Sequence, residues 1–347
     1  MSAKVFQRIL VVRTDRIGDV VLATPLLRAL RKTYPKAHIV AMVRPYASEV
    51  LAHNPNVDEL ILDDPEGGQA GVKGFLSQVR VIRKHRFDAA LILLPKSRLS
   101  WMLFFAGIPL RVSVETRLDH VLTLTKVVTR HRYIPLRHEA DYCLDLGRKI
   151  GAREDGLDVE VIVTPEEKEA ARQKLRGRGV LPGGHLVGVH PVSGRSAPNW
   201  NINRYRECVG QILEKPGTQV VVTGSKADDG VLKSLAAVDP QRVFDIVGGN
   251  LRETIAILSL LDVLVSASTG PMHLAAGLRV PTVSLFCPLP ACSPILWGPL
   301  GNRSEVILPH ASFCQQQCPG DPHICEFEGG ILPVSVSKAV EQILAAF

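Results

Sequence analysis

The stretch ILVVRTDRIGDVVLATPLLRAL, residues 9–30, decides the fold. Its first residues, Ile9–Val12, form an aliphatic run typical of a buried strand, and Pro25–Tyr34 has the apolar spacing of an amphipathic helix. The loop between them holds the candidate functional residues Arg13, Asp15, Arg16, Gly18 and Asp19. Because burying charge is costly, we expect this loop to bind a ligand or carry chemistry, although Asp19 alone could simply cap the helix.

Short apolar strands alternate with helical segments along the whole chain, in two series. The first is Ile9–Val12, His38–Val43, Glu59–Leu62, Ala89–Leu94 and Arg111–Val114, and the second is Leu186–Val189, Gln219–Thr223, Val243–Asp245, Val263–Ser266 and Thr282–Phe286. Such alternation predicts parallel sheets covered by helices on both faces. We therefore predict an α/β protein with two doubly wound domains.

The domain boundary is predicted at a helix start. Thr164 suits the N-cap, Pro165 suits the first helical position, and two acidic residues follow in the first turn. This start places the N-terminal domain at residues 1–163 and the C-terminal domain at 164–347. Residues 334–347 are predicted to form a terminal amphipathic helix, which could pack back on the N-terminal domain.

Ligands of open α/β sheets bind beyond the carboxyl ends of the strands, so loops that follow strands are the candidate sites. After Val263–Ser266, either Ser268 or Thr269 can cap the next helix, and Pro271 suits its first position. Backbone N–H groups at that helix start suit a diphosphate, whereas an ordinary capped helix with a core histidine is the alternative. The candidate residues are Ser268, Thr269, Gly270, Pro271, Met272 and His273.

Two further loops follow strands of the second series. The segment HPVSGRSAPNW, residues 190–200, offers Ser193, Arg195 and Ser196 to phosphate oxygens. In VVVTGSKADD, Thr223, Gly224 and Ser225 directly follow a strand, and ligand contact and a simple polar turn explain them equally well.

The net charge of +7 favours an anionic partner, although a generic basic surface would give the same value. Aromatic residues make up only 5% of the chain and do not interleave with basic stretches, so we expect no nucleic-acid binding. The apolar run near the N-terminus is too short for a signal peptide, and no apolar stretch is long enough to span a bilayer. We therefore expect a cytoplasmic protein.

The cysteines suggest free thiols. The chain has seven, an odd number in a sequence without an export signal, so structural disulfides are not expected. Cys314, Cys318 and Cys325, with His310 and His323 close by, could ligate zinc. Their spacing fits no structural zinc pattern, and we expect neither a metal nor a cofactor.

Together these motifs resemble glycosyltransferase family 9, the ADP-heptose:lipopolysaccharide heptosyltransferase family. The resemblance covers nearly the whole chain and rests on RTDRIGDVVLATPLLRALRKTYPKAHI (13–39), HPVSGRSAPNW (190–200), VVVTGSKADD (220–229) and STGPMHLAAGLRVPTVSLFCP (268–288). It implies a GT-B fold, with two Rossmann-like domains facing each other across a cleft. The N-terminal domain would bind the acceptor and the C-terminal domain the nucleotide-sugar donor, in an inverting reaction without an essential metal.

The resemblance also implies roles for single residues. Asp19 matches the carboxylate proposed as general base, and the helix start at 269–272 matches the donor diphosphate site, with His273 alongside. Inverting transfer needs one base and N–H donors or positive charge at the departing diphosphate, and Arg13 and Arg16 would be available to acceptor anions. The implied partners are a nucleotide-diphosphate sugar, with ADP-heptose favoured, an anionic glycolipid acceptor, and the inner-membrane surface of a bacterium, to which the protein would bind peripherally.

Two positions depart from the family pattern. Pro198 stands where the family usually has a lysine that helps to bind the donor phosphates, and Ser268 stands where many members have an aspartate. These departures leave open a second function, that of a catalytically weakened or inactive member that binds a glycan or a nucleotide. A nicotinamide-dependent dehydrogenase is poorly supported, because the first loop lacks G-x-G-x-x-G.

Overall fold

The computed structural model describes residues 5–129, 136–194, 196–247, 249–327 and 329–346. The chain divides into two compact units between Glu160 and Val161. The assignment of acceptor binding to the first half and donor binding to the second stays a prediction.

The first unit contains one parallel six-stranded sheet. Its strands are β1 (Arg8–Arg13), β2 (His38–Val43), β3 (Glu59–Leu62), β4 (Ala89–Ile92), β5 (Leu110–Val114) and β6 (Lys126–Val128). Its helices are α1 (Ile17–Leu22), α2 (Thr24–Thr33), α3 (Gly71–His85), α4 (Ser97–Phe105), α5 (Leu118–Leu122) and α6 (Glu139–Lys149). The spatial order β3-β2-β1-β4-β5-β6 changes direction between β1 and β4, so the topological switch point lies beyond the carboxyl ends of these two strands.

Burial on both faces explains why the strands are continuous apolar runs. Leu10 and Val12 of β1 are fully buried, and the strand lies between β2 and β4 in parallel register, with Val12 opposite Met42 and Ile92. The first charged residue after this apolar run, Arg13, is the last residue of the strand. The apolar run therefore ends where the sheet meets its carboxyl edge.

The second unit repeats this architecture. Its strands are β7 (His185–His190), β8 (Thr218–Gly224), β9 (Val243–Val247), β10 (Val263–Ala267), β11 (Thr282–Leu285) and β12 (Ser304–Ile307). Its helices are α7 (Pro165–Gly177), α8 (Ile202–Ile212), α9 (Asp229–Ala236), α10 (Leu251–Leu258), α11 (Gly270–Gly277), α12 (Pro294–Trp297), α13 (Ala311–Gln317) and α14 (Pro333–Leu344). The order β9-β8-β7-β10-β11-β12 is parallel throughout, and its switch point lies between β7 and β10.

The terminal helix packs within the second unit. Val336, Val340 and Ile343 are buried on its inner face, and α14 contacts α8, β10 and β11. The sequence also allowed the terminal helix to pack on the N-terminal domain, but these partners all belong to the second unit. None of the described helices combines the length and the apolar character that a bilayer span needs.

All ten predicted strands are present, with ends that differ by one or two residues. Leu93 and Leu94, for example, lie beyond the end of β4. The described ranges contain two further strands, β6 and β12, which lie at sheet edges and have no fully apolar run to mark them. Thr164 caps α7 as predicted, with Glu167 completing a capping box.

Candidate active site

The Asp19 loop lies at the switch point of the first sheet, directly after β1. Helix α1 begins at Ile17 with Arg16 in the N-cap position, so Asp19 is the third helical residue. The alternative that Asp19 is the N-cap is therefore wrong. Its Oδ1 instead accepts a 2.5 Å hydrogen bond from Nη2 of Arg13, and the carboxylate keeps 15% of its surface exposed. Asp19 is thus held in place but still accessible at the edge of the sheet.

Arg13 binds the Asp19 carboxylate from the buried side of the loop. Its side chain is only 4% exposed, with Nε 2.9 Å from Oδ1 of Asp15 and Nη1 3.1 Å from Oε1 of Glu139. Three carboxylates thus surround one buried guanidinium, including Asp19. The expectation that Arg13 binds acceptor anions is wrong, because the side chain is buried and already paired.

The charges of this cluster are set by burial and pairing. Burial raises the pKa of Asp15 to about 6, against the opposing effect of Arg13. Burial also acts to lower the pKa of Arg13, but Asp15 and Asp19 outweigh it and hold that pKa above its usual range. Arg13 therefore stays positively charged beneath Asp19 at any physiological pH.

Other residues at the same edge keep their polar groups available. Arg16 is exposed in the loop, and Lys96 is exposed after β4, on the other side of the switch point. The hydroxyl of Tyr46 donates to the carbonyl of Asp15 at 2.6 Å and so fixes the loop backbone. Gly18 is buried in the first turn of α1. Arg16 remains the predicted cation for acceptor anions, and Lys96 is a second one that the sequence did not reveal.

Glu139 is the main site residue that sequence reasoning missed. It is 1% exposed in the first turn of α6 and lies 126 residues away from Arg13 along the chain. The sequence did contain one signal for a buried carboxylate, since Glu139 is followed by the largely apolar residues Ala140, Tyr142 and Cys143, which are buried. A buried carboxylate normally has a cationic partner, but only the fold identifies which one.

In the second unit, the start of α11 follows β10 at the switch point. Thr269 occupies the N-cap position, and Pro271 is the second helical residue rather than the first. The Thr269 side chain makes no capping bond. It is 6% exposed, and Oγ1 has no hydrogen-bond partner among the described residues. A buried hydroxyl at a helix start suits an anion, because the first turn of a helix attracts negative charge.

The neighbouring predicted residues are divided between surface and core. Ser268 is partly exposed at the end of β10, whereas Met272 and His273 are buried in the first turn of α11. The amides of Met272 and His273 donate to the carbonyl of Thr269 and so begin the helix. Gly270 is the first helical residue and leaves the approach to the helix start free of a side chain.

The loop after β7 is closed by its own hydrogen bonds. The hydroxyl of Ser193 donates to the carbonyl of Ala197, and the hydroxyl of Ser196 donates to the backbone carbonyl of Ser193. Asn199 donates to the carbonyl of Pro191 at 2.7 Å and accepts from the hydroxyl of Tyr205. Each serine oxygen can still accept a hydrogen bond, but neither hydroxyl donor is available to a phosphate. Arg195, the cation predicted for this loop, lies outside the described residues.

The loop after β8 lies beside the β7 loop, and the two are linked. Oγ1 of Thr223 lies 3.0 Å from Nδ1 of His190, the last residue of β7. Burial lowers the pKa of His190 to about 4, despite the nearby carboxylate of Asp228, so the ring is neutral at physiological pH. A Cβ at Gly224 would come within 3.1 Å of the Leu232 side chain, so a larger residue would crowd that leucine. His190 was not among the predicted site residues.

The cysteine segment forms a small cavity with a strand end. Cys314, Cys318 and Cys325 line a space of about 60 Å³ together with Cys287, which follows β11. Burial raises the pKa of both Cys314 and Cys325, which favours protonated thiols. Among the described residues, the group of side chains close enough to share a metal ion is elsewhere, at His38, Glu59 and His85 on the amino-terminal side of the first sheet.

Comparison with known proteins places this geometry in a family. The family model described as glycosyltransferase family 9 (heptosyltransferase) matches residues 75–321. Lipopolysaccharide heptosyltransferase 2 of Escherichia coli is 25% identical over 312 residues, which are 86% of this chain and 87% of the relative.

Two solved structures share the fold. The family 9 glycosyltransferase of Veillonella parvula has a TM-score of 0.87 at 24% identity and covers 98% of both chains. The E. coli ADP-heptose lps heptosyltransferase II has a TM-score of 0.78 at 22% identity, over 98% of this chain and 99% of that one. These matches confirm the predicted GT-B fold class.

Proposed function

The chain belongs to glycosyltransferase family 9, the heptosyltransferase family, and from this premise we propose that it moves heptose from ADP-heptose to a lipopolysaccharide core acceptor. Family membership establishes a heptosyltransferase-like glycosyltransferase. The proposal adds the donor, the acceptor class, inversion at the anomeric carbon, and a reaction without a metal. The E. coli relative acts on lipopolysaccharide, and the similar solved structure from that organism is named for ADP-heptose.

The observation that carries the proposal is the accessible carboxylate of Asp19 at the switch point of the first sheet, fixed by Arg13. In the proposed reaction, the acceptor hydroxyl attacks the anomeric carbon while the bond from that carbon to the diphosphate breaks. Asp19 takes the proton of the hydroxyl. Arg13 stays protonated and keeps the Asp19 side chain in one orientation, so Arg13 is a positioning residue rather than a ligand of the acceptor.

The second unit supplies the proposed donor site. The start of α11 carries the positive end of the helix dipole, and the buried hydroxyl of Thr269 can donate to a diphosphate oxygen. Such fixed donors stabilise the charge that develops on the departing ADP and can replace a metal ion in that role. We assign the remaining donor contacts to Ser268, Pro271, Met272 and His273 at the helix start and to Arg195, Thr223 and Gly224 in the two neighbouring loops. Ser193 and Ser196, whose hydroxyls already donate within their loop, are assigned hydrogen bonds that they accept from the nucleotide-sugar.

A second candidate function is binding without turnover. It is favoured by Pro198, which is buried in the closed loop after β7 where the family usually has a phosphate-binding lysine, and by Ser268 in place of an aspartate. The two functions differ in one measurable respect. A binding protein would retain ADP-heptose and acceptor but release no ADP.

We further propose that the acceptor is an anionic glycolipid and that the protein works at the cytoplasmic side of the inner membrane. Arg16 and Lys96 are exposed cations at the same edge as Asp19, and they suit phosphate or carboxylate groups of a lipopolysaccharide core. The net charge of +7 agrees with an acceptor and a membrane surface that are both negative.

The experiment is a transfer assay on purified full-length protein. ADP-heptose and, separately, UDP- and GDP-sugars are supplied with heptose-deficient lipopolysaccharide core, with and without EDTA. We expect a product heavier by one heptose from ADP-heptose alone, with the opposite anomeric configuration to the donor and a rate unchanged by EDTA. Donor binding without ADP release would establish the second candidate instead, and strong inhibition by EDTA would refute the metal-free mechanism.

A further inference from the structure

Three helices of the first unit share one face of its sheet. The connections β3 to β4, β4 to β5 and β5 to β6 all step in the same direction across the sheet, and right-handed crossovers therefore place α3, α4 and α5 on the same side. The helices pack in sequence, α3 against α4 and α4 against α5. We refer to their outer surface, together with the turn at residues 123–125, as the α3–α5 face.

This face exposes large apolar side chains at unusual density. Leu118, Val121, Leu122 and Leu124 are exposed by 75%, 59%, 56% and 80%, all within seven residues of sequence. Further along the face, Phe105 of α4 is 48% exposed. Single exposed apolar residues need no explanation, but a contiguous apolar surface marks an interaction site.

The turn after α5 holds Leu124 outward at a conformational cost. Leu124 has φ of 52°, in the left-handed region that a branched side chain rarely adopts. The buried residues on either side fix the turn, since Oγ1 of Thr123 lies 2.8 Å from Oγ1 of Thr125. The strained residue gains no packing within the described unit, because its side chain points to the surface. The side chain of Leu124 is therefore available to a partner outside the unit.

The charge of the face selects the kind of partner. Helix α3 contains four exposed basic residues, Lys73, Arg80, Arg83 and Lys84, whereas Arg98 of α4 is partly buried and paired with Asp63 at 2.7 Å. Acidic residues are rare in these three helices. Their single acidic residue is Asp119, which is buried and 3.1 Å from the guanidinium of Arg117. Exposed basic side chains around apolar ones suit the headgroups and acyl boundary of an anionic bilayer. A second copy meeting the same surface would instead bring the cations of α3 against one another.

We propose that the α3–α5 face docks this protein on an anionic lipid bilayer, with Leu118, Val121, Leu122 and Leu124 entering the headgroup region. The inference rests on the proposed function in one respect, namely that the acceptor is a glycolipid. Helix α5 begins four residues after the end of β5, at the carboxyl edge of the sheet where Asp19 lies. Docking by this face therefore brings the catalytic edge of the first unit to the membrane that holds the acceptor.

Vesicle co-sedimentation of the full chain tests the proposal. Vesicles of phosphatidylethanolamine and phosphatidylglycerol are compared with neutral phosphatidylcholine vesicles. We expect wild type to bind the anionic vesicles, with affinity that falls as salt increases. Combining Leu118→Ser, Leu122→Ser and Leu124→Asn should reduce partitioning at least about tenfold, and Lys73→Gln and Lys84→Gln about fivefold each.

The controls use exposed residues of the second unit. Leu181→Ser removes a leucine that is also largely exposed, and Lys338→Gln removes an exposed lysine, and both should bind vesicles like wild type. Equal binding by the leucine variant and wild type would overturn the proposal. So would absence of wild-type binding, or a wild-type dimer in solution that the leucine variant dissociates.

The proposed function and this inference fail independently. Transfer to a delipidated, water-soluble core oligosaccharide is measured in parallel, and the leucine variant should keep the wild-type rate on that acceptor. Loss of transfer on the soluble acceptor with normal vesicle binding would refute the function alone. Normal transfer without vesicle binding would refute the docking surface alone.

Discussion

At the residue scale, removing the hydroxyl of Thr269 should affect ligand binding and stability in different ways. It is buried without a hydrogen-bond partner, so Thr269→Val should leave the free energy of unfolding unchanged or raise it by about 1 kcal/mol. The same change should weaken ADP binding by about ten- to a hundredfold, because a hydrogen bond to a charged oxygen contributes about 1.5–3 kcal/mol. Calorimetric titration with ADP and urea unfolding measure the two effects.

The matched control for this prediction is Thr218→Val. Thr218 is also fully buried, and its Oγ1 also has no hydrogen-bond partner among the described residues, but it begins β8 at the opposite edge of the sheet. It should change stability in the same direction and leave the affinity for ADP as in wild type. Unchanged ADP affinity in Thr269→Val would show that the start of α11 is not the diphosphate site.

A second residue-scale prediction concerns His190 and pH. Its pKa in the folded protein is about 4, below the value of about 6.5 for an unfolded histidine, so the unfolded chain binds the proton more tightly. This contribution to stability is present above about pH 6.5 and is lost as the pH falls toward 4, by up to about 3 kcal/mol. His190→Gln should remove that component from the pH dependence of urea unfolding. A variant with the wild-type pH dependence would contradict a buried, neutral His190.

Single residues also show how far sequence reasoning reaches. Asp19 was predicted as a site residue because a cluster of charge follows a buried strand, a pattern that a local stretch can display, and its role as the base stays a proposal. The role of Arg13 was misjudged because its burial depends on Glu139, which α6 brings from 126 residues away. The alternative that Asp19 is the N-cap of α1 was wrong by three residues. The N-cap is Arg16, a residue type that rarely caps helices, and its side chain makes no capping hydrogen bond.

At the element scale, α7 is the clearest case of local sequence fixing a boundary. Thr164 accepts from the amide of Glu167, and Glu167 accepts from the amide of Thr164 at 2.8 Å and pairs with Arg252 of α10 at 2.6 Å. Thr164→Ala should lower the free energy of unfolding by about 1 kcal/mol. In urea unfolding, the control Ser77→Ala at an exposed position inside α3 should have no destabilising effect. An equally stable Thr164→Ala would show that the capping box contributes nothing.

Elements were predictable where burial acts on both faces. The central strands β1, β7 and β10 have mostly apolar interiors because helices cover both sides of the sheet, and their sequences predict them directly. The edge strands β6 and β12 were not predicted, because they are only three and four residues long and partly exposed. Their existence follows from pairing with β5 and β11, which no local pattern records.

At the scale of the whole molecule, two sheets of the same strand order provide complementary chemistry. The switch point of the first sheet holds a carboxylate fixed by a buried arginine, and that of the second holds a helix start with an unpartnered hydroxyl. A transferase that inverts needs one group of each kind, a base for the acceptor and donors for the leaving diphosphate. In the proposed function, the two switch points of the repeated topology supply one group each.

The most direct measurement of this account is the rate of ADP release from ADP-heptose in the presence of the lipopolysaccharide core, for wild type and for Asp19→Asn. Asparagine keeps the size of the side chain and can still accept from Arg13, so ADP binding and thermal stability should be retained. We predict that kcat falls by about 10²- to 10⁴-fold, because the acceptor hydroxyl loses its base. A folded Asp19→Asn protein that releases ADP within a few-fold of the wild-type rate would contradict the account.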